Sequence, residues 1–324
     1  MARANRMQAA AIDRFGGADE IALHTLAVPE PKADELLIRV DTASVGPWDP
    51  SLREGEYFEA TKEDRPSFPF VLGVDAAGTV IATGERVKRF REGDKVYGYD
   101  PDIAKSGFYA EYARLKARHA APVPDGLDLD QAGAMPADAL TALTGLETLG
   151  LKPGEKLGIF GASGGIGHIA LQLAKRMGAD VLAIASGEDG VALARQLGAD
   201  AAIDGHSTEV EAAVRDFAPG GLDAVLITAN SNGLEAVLKA IRKSGRAAYP
   251  NGVEPKPKAR AGVKLKAYDG RSEPELFERL NRLIEMGPFT VHVCARYGLG
   301  EAAEAHRAVE RHHLGKLALA VQPR

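Results

Sequence analysis

Four glycines within seven residues constrain the fold of this chain more than any other feature of its sequence. They are Gly161, Gly164, Gly165 and Gly167. The short apolar run 157–160 precedes them, and an apolar segment with helical spacing follows. A second apolar run, 181–185, is suited to a strand buried on both faces. The order strand, glycine loop, helix, strand predicts the start of a βαβ unit.

The glycine loop has the physical properties of a phosphate site. A helix that starts near Gly165 leaves its first N–H groups unpaired, and its dipole places about half a positive charge at that end. Anions bind there, and glycine lets the backbone approach a pyrophosphate without an intervening Cβ. Against the dinucleotide fingerprint GxGxxG, Ala162 stands at the first glycine position. The expected cofactor-binding residues of this loop are Ser163, Gly164, Gly165, Ile166 and Gly167; the alternative is a strand-to-helix turn that binds nothing.

The residue that ends the second apolar run indicates which dinucleotide is bound. NAD-binding folds usually place Asp or Glu there to accept hydrogen bonds from the adenosine ribose. Ser186 holds this position, and its hydroxyl can donate to a 2′-phosphate that a carboxylate would repel, so we expect NADP(H). Glu188 and Asp189 follow and weaken this preference. Arg195 could reach the phosphate or could be a solvated surface residue.

Composition narrows the functional class. The 324 residues suffice for two domains, and 45% hydrophobic with 26% charged residues is typical of a globular protein. A net charge of -5 argues against a general nucleic-acid binder, and no run of eighteen apolar residues is present to cross a membrane. Cys294 is the single cysteine, which excludes intramolecular disulfides and multi-cysteine zinc sites. We expect a cytoplasmic protein.

The character of the chain changes near residue 126. Before it, short alternating runs separated by Gly, Pro and Asp predict a β-rich domain. After it, predicted helices over 189–197, 208–217 and 233–243 alternate with apolar runs, and the segment 263–270 contains a last strand, which favours a parallel sheet covered on both faces. The final helix, strand, helix and strand return to the first domain. The expected domains are 1–125 with 271–324, and 126–270.

These motifs together resemble the medium-chain dehydrogenase/reductase superfamily, and within it the zinc-free NADPH:quinone oxidoreductase group. The matching segments are GVDAAGTV (73–80), GDKVYGY (93–99), LTALTGL (140–146), GASGGIG (161–167) and GRAAYPNG (245–252). The resemblance spans nearly the whole chain. It implies an α/β fold with a doubly wound parallel-sheet (Rossmann) domain and a β-rich GroES-like catalytic domain.

The resemblance also bears on metal chemistry. Zinc alcohol dehydrogenases of this superfamily hold their catalytic metal at three positions that correspond here to Gly46, Val74 and Ala137. None of these side chains can ligate zinc, so we expect no metal. The implied reaction is hydride transfer from NADPH to a quinone or similar conjugated carbonyl. An enoyl or 2-alkenal double-bond reductase and a non-catalytic NADPH-binding protein remain alternatives.

The resemblance also implies which residues contact the nicotinamide and the substrate. Thr141 matches the threonine that contacts the nicotinamide, although a threonine that bonds within its own helix is the alternative. Trp48, Ser51, Arg53 and Tyr57 lie in the loop that lines the family's substrate pocket, and Trp48 could instead be core. Related alkenal reductases can carry Lys at the position of Ser51.

Further cofactor contacts are expected where strands end, because ligands of doubly wound sheets lie beyond the carboxyl ends of the strands. Ala229 and Asn230 end one predicted strand, and Asn251 and Gly252 end the next. The resemblance also implies a homodimer that pairs the edge strands near 263–270. The expected partners are therefore a small quinone or enone and a second copy of the chain, with neither nucleic acid nor membrane.

Overall fold

The computed structural model describes residues 5–207 and 209–322, which form two compact units. One comprises the chain up to Ala137, Ser272–Asn281 and the chain from Val291; the other comprises Asp138–Arg271 and Arg282–Thr290. The units therefore change at Ala137 and Arg271, whereas the sequence-based domain ranges change at residues 125 and 270.

The strands alternate with helices only in the second half of the chain. In chain order the strands are β1 (Arg6–Ile12), β2 (Ala22–Ala27), β3 (Glu35–Val45), β4 (Phe70–Val71), β5 (Asp75–Thr83), β6 (Lys95–Tyr99), β7 (Tyr112–Lys116), β8 (Ala120–Pro122), β9 (Lys156–Phe160), β10 (Asp180–Ala185), β11 (Ala201–Asp204), β12 (Leu222–Ile227), β13 (Ile241–Pro250), β14 (Lys264–Tyr268), β15 (Val293–Gly298) and β16 (Lys316–Ala320).

The helices are mostly short, apart from α4, α5 and α9. In chain order they are α1 (Asp49–Glu54), α2 (Glu56–Thr61), α3 (Leu129–Ala134), α4 (Pro136–Leu149), α5 (Gly165–Arg176), α6 (Gly187–Gln196), α7 (Val210–Phe217), α8 (Leu234–Lys239), α9 (Pro274–Ile284) and α10 (Ala302–Val309). None of the helices within 5–207 and 209–322 combines the length and the apolar character needed to cross a bilayer.

The first unit is organised around β3, which is buried along most of its length. β3 pairs antiparallel with β5, β7 and β16, within a sheet of order β15-β16-β3-β5-β6-β8. Its apolar side chains Leu36, Ile38 and Val40 are fully buried in the core of this unit. β1, β2 and β4 form a separate three-stranded sheet. This arrangement confirms the β-rich domain expected from the sequence.

The second unit contains a parallel sheet of order β11-β10-β9-β12-β13-β14. The chain runs outward from β9 through β10 to β11, and then returns to the other side of β9 with β12. This reversal is the topological switch point at which ligands bind in doubly wound sheets. Leu157, Ile159 and Val181 are fully buried, as a strand covered on both faces requires. The predicted Rossmann sheet is confirmed.

One predicted helix ends earlier than its sequence suggested. The helix expected over 233–243 stops at Lys239 in α8, and β13 begins at Ile241. Ile241 is completely buried and pairs with Leu222 of β12, so its β-branched side chain stabilises a strand. Of the helix expected over 208–217, α7 accounts for Val210–Phe217, and residue 208 lies outside the described residues.

Residues 282–290 belong to the second unit through side chains of α5. The Arg176 guanidinium donates to the carbonyl oxygens of Gly287 at 3.0 Å and Pro288 at 2.6 Å. Gln172 and Thr290 exchange two hydrogen bonds, each 2.9 Å long, through the Gln172 amide and the Thr290 backbone. The sequence-based domain range assigned this segment to the first domain because these long-range bonds leave no local pattern.

Candidate active site

The glycine loop joins β9 to α5 at the switch point of the parallel sheet. Gly161 has a φ of 85°, in the left-handed region that favours glycine. A Cβ on Gly161 would overlap the Thr228 hydroxyl and would lie 3.0 Å from the Ala229 Cβ. The Gly161 and Ala162 N–H groups donate to the Ile184 carbonyl oxygen at 2.9 and 3.0 Å. Close packing of three strand ends therefore requires glycine at this position.

Thr228 connects the ends of the two central strands. Its backbone N–H and its hydroxyl each donate to the Phe160 carbonyl oxygen at 2.9 Å, and the hydroxyl lies 3.2 Å from the Gly161 carbonyl oxygen. Ala229, a predicted cofactor residue, follows directly and is exposed. The Thr228 bonds thus fix the edge of the sheet on which the glycine loop stands.

Helix α5 begins at Gly165, and no side chain caps its N-terminus. A Cβ on Gly167 would overlap the Gly161 carbonyl oxygen, so the helix can approach β9 only with glycine there. A Cβ on Gly164 would meet nothing closer than the Gly161 carbonyl oxygen, at 3.5 Å. The backbone at Gly164 is therefore open, and the uncapped N–H groups of α5 suit a pyrophosphate.

Ser163 and Ser186, both predicted cofactor residues, lie in contact. The Ser186 N–H donates to the Ser163 Oγ at 3.2 Å. Ser163 is buried, and a Cβ on Gly190 would come within 2.8 Å of its Oγ. The Ser163 side chain therefore supports α6 from beneath. Any contact that Ser163 makes with a cofactor would come from its backbone.

The Ser186 side chain faces a histidine that the sequence did not single out. Ser186 precedes α6 but makes no side-chain cap bond; its Oγ lies 3.3 Å from the His206 Nε2. Asp204 accepts the N–H groups of Gly187 at 3.2 Å and His206 at 3.0 Å through one carboxylate oxygen. The His206 N–H, as the largest contribution, holds the pKa of Asp204 below its usual value. These bonds join the carboxyl ends of β10 and β11.

Arg195 lies near the C-terminal end of α6. Its guanidinium donates to the carbonyl oxygen of Ala202, in the edge strand β11, at 3.4 Å. Its side chain is exposed. The geometry therefore favours the surface role that the sequence left open for Arg195, and its role at a phosphate stays a prediction.

Thr141 lies against the loop that follows β14. A Cβ on Gly270 would overlap the Thr141 hydroxyl, so glycine at 270 permits this approach. Asn251 donates from its side-chain amide to both carboxylate oxygens of Asp269 at 2.9 Å, and its N–H donates to the Tyr268 carbonyl oxygen at 2.8 Å. The same loop therefore joins two residues predicted to lie near the nicotinamide, Thr141 and Asn251.

Asn230, which is half-buried, follows β12, and Gly252 lies in an exposed turn after β13. The Asn230 amide donates to the Pro255 carbonyl oxygen, which ties the turn after β12 to the segment after β13. Gly252 has a φ of 99°, and a Cβ there would meet nothing within 4 Å. Both residues are thus at the carboxyl edge of the parallel sheet, where the sequence expected them.

In the first unit, Trp48 is folded back on the turn that follows β3. A Cβ on Gly46 would come within 2.9 Å of the indole ring. Lys316 belongs to β16, and its ammonium group lies 5.8 Å from the centroid of the indole ring, within cation–π range. Trp48 is half-buried and packs against the core of this unit. The indole therefore has the core contacts that were one of the two alternatives, and its role in a substrate pocket stays a prediction.

The buried side chain of Asp49 stabilises the same turn through hydrogen bonds. Its Oδ2 accepts the Gly46 N–H at 2.7 Å and the Tyr109 hydroxyl at 3.2 Å. Asp49 and Tyr109 are both buried. Burial, followed by the charge of Asp49, raises the pKa of Tyr109 well above its usual value, so the phenol stays protonated and keeps donating. The turn that carries Trp48 is thereby fixed.

The three other loop residues differ in exposure. The Ser51 hydroxyl donates to the Trp48 carbonyl oxygen at 2.9 Å, and the Tyr57 hydroxyl donates to Glu63 at 2.9 Å; both side chains are half-buried. Arg53 is turned into the core, where it donates to the Gly16 carbonyl oxygen at 2.9 Å. The Arg53 guanidinium is thus engaged within this unit, and its place in a substrate pocket stays a prediction.

The residues described do not assemble a metal site. Within 5–207 and 209–322, no three His, Cys, Asp or Glu side chains come together in a way that could hold a metal ion. Zinc needs such donors, and the positions Gly46, Val74 and Ala137 supply none. A zinc ion would therefore find no ligands at these three positions.

The structure distributes the predicted site residues over the two units. Trp48, Ser51 and Tyr57 lie in the first unit. Thr141 and the predicted cofactor residues lie in the second. Most of the cofactor residues follow strand ends at the carboxyl edge of its sheet, whereas Arg195 bonds to the start of β11. Sequence reasoning missed His206, although a signal was available. His206 follows β11 and Ser186 follows β10, and these neighbouring parallel strands end at the same edge of the sheet.

Comparison with known proteins identifies the family. A family profile described as "Alcohol dehydrogenase GroES-like domain" matches residues 32–125, and one described as "Zinc-binding dehydrogenase" matches residues 165–261. A quinone oxidoreductase from Sus scrofa is 31% identical over 97% of this chain and 97% of its own length.

Two further proteins cover nearly all of this chain. An NADPH-dependent alkenal/one oxidoreductase, chloroplastic, from Arabidopsis thaliana is 30% identical over 95% of this chain and 77% of its own length. The solved structure of a quinone oxidoreductase from Coxiella burnetii is 28% identical, with a TM-score of 0.82, over 98% of this chain and 100% of that one. The chain therefore belongs to the quinone oxidoreductase group of the medium-chain dehydrogenase/reductase superfamily and is an oxidoreductase.

Proposed function

We propose that this protein reduces a quinone, or a similar conjugated carbonyl compound, with NADPH and without a metal ion. The observation that carries the proposal is the uncapped N-terminus of α5 at the switch point of the parallel sheet. Gly164 directly precedes this helix, and no side chain blocks its backbone. The similarity to quinone oxidoreductases over nearly the full chain supports the acceptor class.

The residue at the end of β10 favours NADPH over NADH. Ser186 offers a hydroxyl where a carboxylate would select the unphosphorylated ribose. Asp204, the nearest acid on β11, directs one carboxylate oxygen to two backbone N–H groups. The Arabidopsis relative is described as NADPH-dependent, which supports the same choice.

NADPH supplies a hydride from C4 of its nicotinamide. The protein must bind the cofactor, orient its nicotinamide and stabilise the charge that develops on the acceptor. The first N–H groups of α5 hold the pyrophosphate, and Thr228 keeps the strand ends below it in place. Thr141 and Asn251 orient the nicotinamide end, each braced by the loop after β14. Correct placement of the reacting groups alone can lower the activation free energy by about 7 kcal/mol.

The acceptor is assigned to the Trp48 loop of the first unit. The indole offers a flat apolar face to an aromatic or conjugated ring. Ser51 and Tyr57 carry hydroxyl groups that can stabilise negative charge developing on an acceptor oxygen, after their present bonds to Trp48 and Glu63 are exchanged. Each such donor contributes about 3 kcal/mol in well-studied sites.

An enone or 2-alkenal double-bond reductase is the second candidate, and the Arabidopsis relative favours it. NADPH consumption by the purified protein should be followed with an ortho-quinone, a 2-alkenal and a primary alcohol plus NADP. We expect turnover with the ortho-quinone. A higher kcat/KM with the alkenal would replace the quinone assignment. Turnover of the alcohol that depends on added zinc would contradict the metal-free reaction.

We also propose a homodimer that pairs β14 of two copies. β14 is the last strand in the described sheet, and Lys264, Lys266 and Ala267 are exposed. An uncovered edge strand exposes unpaired backbone groups, which a second copy can satisfy. Light scattering should give twice the chain mass, and Ala267→Pro should reduce it to the monomer. A monomeric native protein would contradict this assembly.

A further inference from the structure

A groove of about 350 Å³ in the first unit is lined mainly by cationic side chains. Its volume is that of a small-molecule site, and none of the residues assigned to the cofactor or the acceptor lines it. Four cations face a single carboxylate there, although the whole chain has a net charge of -5. The charged lining residues are Arg86, Lys88, Arg89, Arg118 and Asp34.

The two basic segments of this groove are anchored on the same turn, which precedes β3. The Arg86 N–H donates to the Ala33 carbonyl oxygen at 2.8 Å, and the Ala117 N–H donates to the Asp34 carbonyl oxygen at 3.0 Å. Ala117 directly precedes Arg118. The backbone bonds therefore hold both segments in place before a ligand arrives, which lowers the entropic cost of binding.

Arg118 is held in position by a buried histidine. Its Nε–H donates to the His119 Nε2 at 3.1 Å, and the His119 Nδ1 lies 2.6 Å from the Ser272 carbonyl oxygen. Because Nε2 accepts, the proton of the neutral ring is on Nδ1 and is donated to Ser272. Burial lowers the pKa of His119, which favours this neutral form. Only Nε of Arg118 is used, so its two terminal nitrogens are available to a ligand.

The other cations of the groove are also poorly neutralised. Within 5–207 and 209–322, neither Lys88 nor Arg89 forms an ion pair: the Lys88 ammonium donates to a backbone carbonyl oxygen at 3.4 Å, and the Arg89 guanidinium lies 5.4 Å from the centroid of the Phe90 ring. Arg86 lies 3.8 Å from Asp34, the one acid of the lining. Clustered like charges repel one another, and a multivalent anion relieves this repulsion.

We propose that this groove is a binding site for a small molecule that carries a diphosphate group. Guanidinium groups match phosphate oxygens with two parallel donors, and a lysine adds a compact charge. Val87 and Ala117 line the same groove and supply apolar surface for the rest of the molecule. The site is independent of the proposed reductase activity, because no residue of the groove takes part in binding NADPH or the acceptor.

The test is calorimetric titration of the full chain with inorganic pyrophosphate at physiological ionic strength, where exposed charges act over only about 8 Å. NADPH is present at saturation, so that the phosphate position at α5 is already occupied. We expect one pyrophosphate per chain with a Kd below about 1 mM. If NADPH itself does not bind, the proposed function is contradicted, and the groove variants still decide whether pyrophosphate binds here.

Arg118→Gln and Arg89→Gln should each weaken pyrophosphate binding about tenfold, because each removes a charge-assisted donor. Arg118→Lys keeps the charge but loses the bond to His119, so we expect a loss of about threefold. Arg91→Gln is the matched control, since Arg91 belongs to the same loop as Arg89 but does not line the groove. This control should stay within about twofold of the native protein.

Absence of pyrophosphate binding, or unchanged binding in both Arg118→Gln and Arg89→Gln, would overturn the site. An equal loss in Arg91→Gln would reduce it to general charge attraction. A second arm uses sedimentation with phosphatidylcholine vesicles that contain phosphatidic acid, because a lipid headgroup presents the same phosphate chemistry. We expect no binding to these vesicles, and vesicle binding that Arg118→Gln abolishes would overturn the choice of a soluble ligand.

Discussion

The Nη1 of Arg53 lies 3.2 Å from the Nδ1 of His306 inside the core of the first unit. Arginine can only donate, so His306 accepts through Nδ1 and is neutral. Its Nε2 is buried and has no hydrogen-bond partner among the described residues. Burial, with a further contribution from the Arg53 charge, lowers the pKa of His306 to about 3.

This arrangement predicts how stability depends on pH. The unfolded chain takes up a proton at His306 near pH 6.5, the usual value, whereas the folded chain takes it up only near pH 3. Stability contributed by this group is therefore complete above pH 6.5 and falls as the pH is lowered from 6.5 towards 3. The slope is about 1.4 kcal/mol per pH unit.

His306→Gln isolates this effect, because a glutamine oxygen can still accept from Arg53. Urea unfolding between pH 6 and 4.5 should show a shallower loss of stability in the variant. His119 and His292, whose pKa values burial also lowers, are present in both proteins and cancel in the comparison. Parallel profiles for the two proteins would show that His306 is not neutral when folded.

Thr228→Val should loosen the switch point of the parallel sheet. Valine removes the hydroxyl that donates to the Phe160 carbonyl oxygen but keeps the shape of the side chain. We expect the free energy of unfolding to fall by about 1–2 kcal/mol, with weaker NADPH binding. Thr228→Ser keeps the hydroxyl and should retain most of both. Equal effects of Val and Ser would assign the change to packing.

Gly164→Ala separates binding from folding. The added methyl group would meet only the Gly161 carbonyl oxygen at 3.5 Å, an ordinary contact, so the melting temperature should stay within about 2 °C of the native value. If a pyrophosphate lies against this backbone, the methyl group should raise the Kd for NADPH about tenfold or more. Gly220→Ala, in open space of the same unit, is the control. Unchanged binding in Gly164→Ala would exclude this loop as the phosphate site.

Trp48→Ala should slow the reaction with the acceptor without changing the affinity for the cofactor. Loss of the indole removes an apolar face, so we expect kcat/KM for an ortho-quinone to fall about tenfold, which is 1.4 kcal/mol, while the Kd for NADPH stays constant. Trp48→Phe keeps an aromatic ring and should recover most of the activity. A changed NADPH affinity would show that the substitution disturbs more than the loop.

Local patterns were enough to predict the sheet and its glycine loop. Apolar runs before and after the loop identified β9 and β10. Close contacts require glycine at 161, against Thr228, and at 167, against the Gly161 carbonyl oxygen. Ser186 was found because it ends a strand. These features depend on residues close together in the chain.

The remaining features depend on distant partners. Arg53 is in a polar segment typical of a surface loop, yet it is buried with His306, which is 253 residues away, and with Gly16, 37 residues away. His206 became recognisable only when the pairing of β10 with β11 was known. Ile241 was assigned to a helix because its pairing with Leu222 leaves no trace in the local sequence.

Hydride transfer itself is tested most directly by mixing the protein with an ortho-quinone and NADPH deuterated at C4, in the presence of a metal chelator. We expect that one NADPH is oxidised for each quinone reduced, that transfer is slower from the deuterated cofactor, and that the chelator has no effect. NADPH oxidation that is absent, that does not depend on the quinone, or that requires zinc would contradict this expectation.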